Sequence, residues 1–123
     1  MAVYVSNQTS GLGADVIIDG GVTLVPVEHV TGGSGTWYTI FLNNGDSAVQ
    51  YFHLHDATTL DAGNDEPNWI IKVPASDTVC WTVPDGVTFS NGLSYCTSEA
   101  EGKAVSGTIS STALKVWIVV KRD

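Results

Sequence analysis

Apolar and polar positions alternate in short runs, and Gly, Pro, Asn and Asp interrupt them every few residues, so the chain reads as strands joined by turns. The plainest case is 114 to 121, where Leu114, Val116, Ile118 and Val120 share one side of a pleat and Lys115, Trp117, Val119 and Lys121 share the other. That predicts a closing strand with the first four residues inward; a helix has the right length, but Val, Ile and Trp dominate and no cap precedes them. Further strands are expected at 3 to 5, 15 to 18, 22 to 27, 36 to 43, 48 to 55, 68 to 73, 78 to 83 and 92 to 97, with another at 104 to 109. The breaks between them include Asp19-Gly20-Gly21, Gly32-Gly33-Ser34-Gly35, the long run from Asp56 to Pro67, and Pro84-Asp85-Gly86. In the run from Thr36 to Leu42, simple alternation puts Tyr38, Ile40 and Leu42 on one face and Trp37, Thr39 and Phe41 on the other. Both faces then carry large apolar groups, so this strand is central or covered by a partner.

Turn signals at this spacing suit an all-β sandwich or barrel, and 123 residues make one domain spanning 1–123, of about eight to ten strands. Residues 6 to 14 look like the loosest part, and 1–14 is open either as an N-terminal arm over a neighbour or as an ordinary surface loop. No apolar run reaches membrane-spanning length and the first residues lack a signal-peptide pattern, so no membrane association and synthesis in the cytoplasm are expected.

Charge changes the picture by its distribution. Thirteen acids face five bases for a net charge of −8, and the first base is Lys72, so all of the net negative charge lies in the first 71 residues. Such a surface repels phosphates, which argues against a nucleic-acid partner. Solubility and attraction to a basic partner are equal readings of the acidic half. The two cysteines, Cys80 and Cys96, are too few for a disulfide framework, and buried free thiols are expected.

Candidate chemistry is sparse. His53 and His55 lie two apart on a strand, facing one way with Tyr51 while Phe52 and Leu54 face the core; they are open either as a shared metal site needing further ligands or as polar histidines on a solvent- or subunit-facing sheet surface, and the latter is preferred. The loop from Asp56 to Pro67 holds four carboxylates without the spacing of a calcium loop. No nucleophile elbow, zinc helix or phosphate loop occurs, so no catalytic residue, no cofactor and no enzymatic activity are expected.

The sequence from Gln50 onward carries Tyr51-Phe52-His53-Leu54-His55-Asp56, Gly63-Asn64-Asp65-Glu66-Pro67, Ile71-Lys72-Val73-Pro74-Ala75 and Gly86-Val87-Thr88-Phe89-Ser90-Asn91-Gly92-Leu93-Ser94 before its closing strand. In these stretches it resembles the decoration, cement or capsid-stabilising proteins of tailed phages, with departures at His53 and His55, where that family usually has Lys and Tyr. The first 49 residues match less clearly. The resemblance implies a single antiparallel sandwich of jelly-roll type, in which Gly63, Asp65, Pro67, Gly86, Phe89, Asn91 and Gly92 form structural turns. Its physical content is turn chemistry: Gly86 after Pro84-Asp85 fits a tight turn, Phe89 anchors the connection in the core, and Asn91-Gly92 reverses the chain.

It further implies a virion component bound to the major capsid protein on the outer capsid surface, as a homo-oligomer with a trimer favoured. Binding only the assembled lattice would stabilise it by mass action. Trp37, Tyr38 and Phe41 are the expected interface aromatics. The alternative is a carbohydrate- or receptor-binding sandwich of tail-fibre or lectin type, with Trp69 or Trp81 as the exposed ring.

Overall fold

The computed structural model describes residues 3–8, 14–23, 25–61, 64–98 and 114–123. Within them lie eight strands: β1 (Val3–Gln8), β2 (Ala14–Val22), β3 (Gly35–Asn44), β4 (Gln50–Asp56), β5 (Trp69–Val73), β6 (Asp77–Phe89), β7 (Leu93–Ser98) and β8 (Leu114–Arg122). They form two antiparallel sheets, a five-stranded one in the order β1-β2-β8-β3-β6 and a three-stranded one in the order β5-β4-β7. The protein is an all-β sandwich. The strand expected at 104 to 109 and the turn residue Gly63 lie outside the described residues.

β8 behaves as its alternation requires. Leu114, Val116, Ile118 and Val120 are buried while Lys115 and Lys121 are exposed, and the strand lies centrally between β2 and β3. Its inward residues meet Ile17, Trp37, Ile40 and Leu42 from the same sheet and Phe52, Leu54, Ile71, Val73, Leu93 and Tyr95 from the other in one apolar core. Removing this much apolar surface from water is the main force closing the two sheets.

The pairing is nested. β4 meets β5, β3 meets β6, and β2 meets β8. Between the last two, β7 takes a partner on its free side from the chain before β3: Val27 and Tyr95 exchange backbone hydrogen bonds at 2.8 Å, and the Thr97 amide donates to the Thr23 carbonyl at 2.9 Å. β8 on β3 and β7 on β4 then join the nested pairs into sheets.

Several expected breaks are irregularities inside strands. Asp19-Gly20-Gly21 does not end β2; the strand runs through it with a register shift between Asp19 and Val22, and among the described residues of 22 to 27 β2 is followed by the bridge at Val27 rather than by a second strand. Pro84-Asp85-Gly86 likewise lies within β6, where Thr82 pairs with Thr39 and Val87 with Trp37, leaving four residues of β6 opposite Tyr38 alone. Gly86 holds φ at 77°, and a side chain there would run into Thr36 and the Tyr38 ring. Tyr38 is also an extra residue against β8, where Trp37 pairs with Val120 and Thr39 with Val119, and this bulge in β3 shifts its phase, so Trp37 joins Ile40 and Leu42 inside while Tyr38 turns outward. Residues Ser6, Asn7, Gln8 and Ala14, read from sequence as part of a loose arm, pair in β1 and β2.

Candidate docking face

The two sequence stretches on either side of the long acidic loop meet at Asp56. Its carboxylate accepts from the Ser90 amide at 2.9 Å and the Asn91 amide at 2.8 Å, and its own amide donates to Asn68 Oδ1 at 2.8 Å. Gly92, with φ at 139°, packs so closely on His29 that a β-carbon has no room, and Phe89 is buried as expected. Asp65 Oδ2 accepts from the Asp61 amide at 2.8 Å, while the Asp61 carbonyl accepts from the amides of Asn64 and Asp65. Glu28, remote in sequence, accepts from the Leu60 amide at 2.6 Å. These carboxylates shape backbone rather than converge on a common point, and Pro67 is half-buried beside them. Among the described residues no group of three or more His, Cys, Asp or Glu side chains is placed to hold a metal ion.

His53 and His55 sit on the outward side of β4, with Phe52 and Leu54 inward as expected, yet they are only 1% and 3% exposed. The expectation of a solvent- or subunit-facing histidine pair is therefore corrected: this face is covered, and Ser94, Cys96 and Ser98 opposite on β7 are buried too. Burial, and secondarily His53, lowers the pKa of His55, opposed by Asp65. The thiols also separate. Cys96 is buried, with its pKa pushed up to about 11, while Cys80 is exposed on the other sheet, contrary to the expectation that both are buried. A buried polar contact ties the sheets together where Tyr95 donates its hydroxyl to Asp19 at 2.9 Å. Burial and Asp19 raise the Tyr95 pKa. Arg122 pairs with Asp15 at the rim.

Trp37 is corrected as an interface residue: the bulge at Tyr38 places it in the core at 1% exposure, edge-on to Trp69 with centroids 5.8 Å apart. Tyr38 and Phe41 lie on the outer side of the five-stranded sheet, half-buried. There the register sets Ile18, Trp117, Phe41 and Cys80 in one row across four strands, and Val16, Val119, Thr39 and Thr82 in the next. Phe41 and Trp117 stack edge-to-face at 5.2 Å. The flanking rows carry Lys121 with Thr36 and Thr88 on one side and Lys115 with Asn43 and Thr78 on the other. This face is thus an apolar band between two lysines and holds no acid in those four rows, on a chain of net charge −8. The individual strands predict outward apolar residues, but only the register shows them side by side.

Comparison with protein-family models, with curated proteins and with solved structures yields no match.

Proposed function

We propose that the protein is a non-enzymatic structural component of a tailed-phage virion, a jelly-roll sandwich that docks on the outer capsid and stabilises the lattice of the major capsid protein. Nested pairing of the kind seen here, one long hairpin folded over on itself, supports the jelly-roll assignment. The observation that carries the role is the outer band of Ile18, Trp117, Phe41, Val16 and Val119, each half-buried, which together form an apolar sheet face of the kind that marks a protein contact. Its rim of Lys115 and Lys121 favours a lattice surface edged with acids. The resemblance from Gln50 onward points the same way.

Gradient-purified particles from cells producing the phage, analysed by quantitative mass spectrometry, test this. The chain should appear in fixed ratio to the major capsid protein and leave under mild denaturant before the capsid opens. Its absence from particles overturns the proposal. Phe41→Lys with Trp117→Lys should leave a folded protein that no longer associates; undiminished association moves the dock elsewhere.

Trp81 favours a second reading. The residue is 45% exposed, with its ring 6.5 Å from that of the buried Trp37, and an exposed indole is a flat apolar surface of the sort on which a sugar stacks. Binding on a glycan array, with no particle association, would replace the first reading by the lectin-like one.

A further inference from the structure

β6 ends the five-stranded sheet and pairs with β3 alone among the described strands, so one edge of a 13-residue strand offers backbone donors and acceptors to the surroundings. Edges of this kind are ordinarily guarded. β5, at the edge of the smaller sheet, has exposed Lys72 in mid-strand and Pro74 just past its end, and β7 has the Val27 segment on its outer side. The first half of β6 has neither. Thr78-Val79-Cys80-Trp81-Thr82-Val83 holds no charge, no proline and no glycine, only β-branched and aromatic residues and one cysteine, and Thr78, Cys80, Trp81 and Thr82 are exposed. Asp77 precedes it, and Pro84, Asp85 and the bulge follow, so the open stretch has defined limits.

We propose that this edge pairs antiparallel with the same edge of a second copy of the chain. The six residues are themselves self-complementary, and although two molecules of net charge −8 repel over most of their surface, this uncharged stretch lets two copies meet without setting like charges against one another. Symmetry then narrows the register. A two-fold axis perpendicular to the sheet keeps corresponding side chains on the same face, so the axis passes through a residue and its own copy. Centring on Trp81 sets Asp77 against Asp85 of the second copy and draws Pro84 into the ladder, both unfavourable. Centring on Cys80 sets Thr78 against Thr82 and Val79 against Trp81, and leaves Asp85 and Pro84 beyond the pairing. The structure therefore favours Cys80 against Cys80. This arrangement is a two-fold dimer rather than the trimer that the resemblance implies. It also joins the outer rows of both copies into a continuous band, Trp117, Phe41, Cys80 and then the same residues in reverse.

Directly opposed residues in an antiparallel ladder have Cα atoms about 4.5–5.5 Å apart, within reach of a short bismaleimide. The intact protein should sediment as a dimer, and the cross-linker should trap that dimer through Cys80, with Cys96 too buried to react and Cys80→Ser abolishing the adduct while leaving the dimer. Thr78→Lys with Thr82→Lys, both exposed and remote from the core, should give a folded monomer. Mixing it with a Thr78→Glu, Thr82→Glu chain should restore a mixed dimer. A wild-type chain that stays monomeric at all concentrations overturns the proposal, as does a dimer indifferent to these charges. Neither result bears on particle association, which fails or stands separately.

Discussion

Asp19 is fully buried on the inner face of β2, and the Tyr95 hydroxyl reaches it from the opposite sheet while the Gly21 amide reaches it at 2.9 Å from its own strand. Tyr95→Phe keeps the ring against Phe52 but leaves the carboxylate short of a donor, and should cost about 1.5–3 kcal/mol in urea unfolding, the range for a hydrogen bond to a charged group. The pH dependence has a definite sign. Because the folded pKa is raised above the unfolded value of about 10, the contribution is complete below that pH and declines above it, by up to about 1.4 kcal/mol per pH unit. Unfolding free energies measured from pH 8 to 11 should fall more steeply with pH in wild type than in Tyr95→Phe. His55 works at the other end. Its pKa is lowered in the fold, so the unfolded chain takes up the proton first, and stability should fall as pH drops below about 6.5. Thermal midpoints at pH 7.5 and 5.5 should differ less in His55→Gln than in wild type; an equal difference would mean that His55 is not the group responsible.

At the scale of elements, the bulge in β6 sets the character of both faces. Opposite it, the one extra residue of β3 against β8, Tyr38, turns Trp37 inward and itself outward, and the β6 bulge that accommodates Tyr38 depends on Gly86. Gly86→Ala meets a positive φ and the bodies of Thr36 and Tyr38 together, so it should destabilise by about 1–3 kcal/mol, read as a lower urea midpoint with an unchanged slope. Gly20→Ala, where a β-carbon meets nothing within 4 Å, is the matched control and should lie near wild type. The same bulge shows what the sequence can and cannot carry. The phase of β8 is legible because nothing interrupts its alternation, and most strand positions follow in the same way. Gly20-Gly21 and Pro84-Asp85-Gly86 are misread as turns because a bulge and a turn call for the same residues. Trp37 changes face because one extra residue shifts every later side chain. The burial of His53 and His55 is invisible in β4 itself, since what covers a strand belongs to other parts of the chain. Asp56 carries no pattern that links it to Ser90 and Asn91, which lie more than thirty residues away. The docking band escapes for the same reason: alternation assigns Phe41 and Trp117 to outer faces, but their adjacency comes from register.

Across the whole molecule, nested pairing makes the last strand indispensable to the first. β8 lies between β2 and β3, so until it is in place the β1-β2 pair has no connection to the rest of its sheet and four core residues are missing. Two consequences separate this arrangement from a chain of local hairpins. Most stabilising contacts join distant residues, β2 to β8 across about a hundred positions, so loop-closure entropy precedes most of the favourable contacts and folding should occupy milliseconds to seconds rather than microseconds. A chain ending at residue 113 should not lose stability by a fraction. It leaves Ile17 and Ile40 without Ile118 between them and opens an edge on each of β2 and β3, and it should show no cooperative urea transition and no protected amides in hydrogen exchange. A sandwich assembled hairpin by hairpin would instead retain the β4-β5 and β3-β6 pairs as a protected subdomain after the same truncation. Amide protection persisting in Gln50–Asp56 or Gly35–Asn44 of the shortened chain would show that the two halves of the fold are independent.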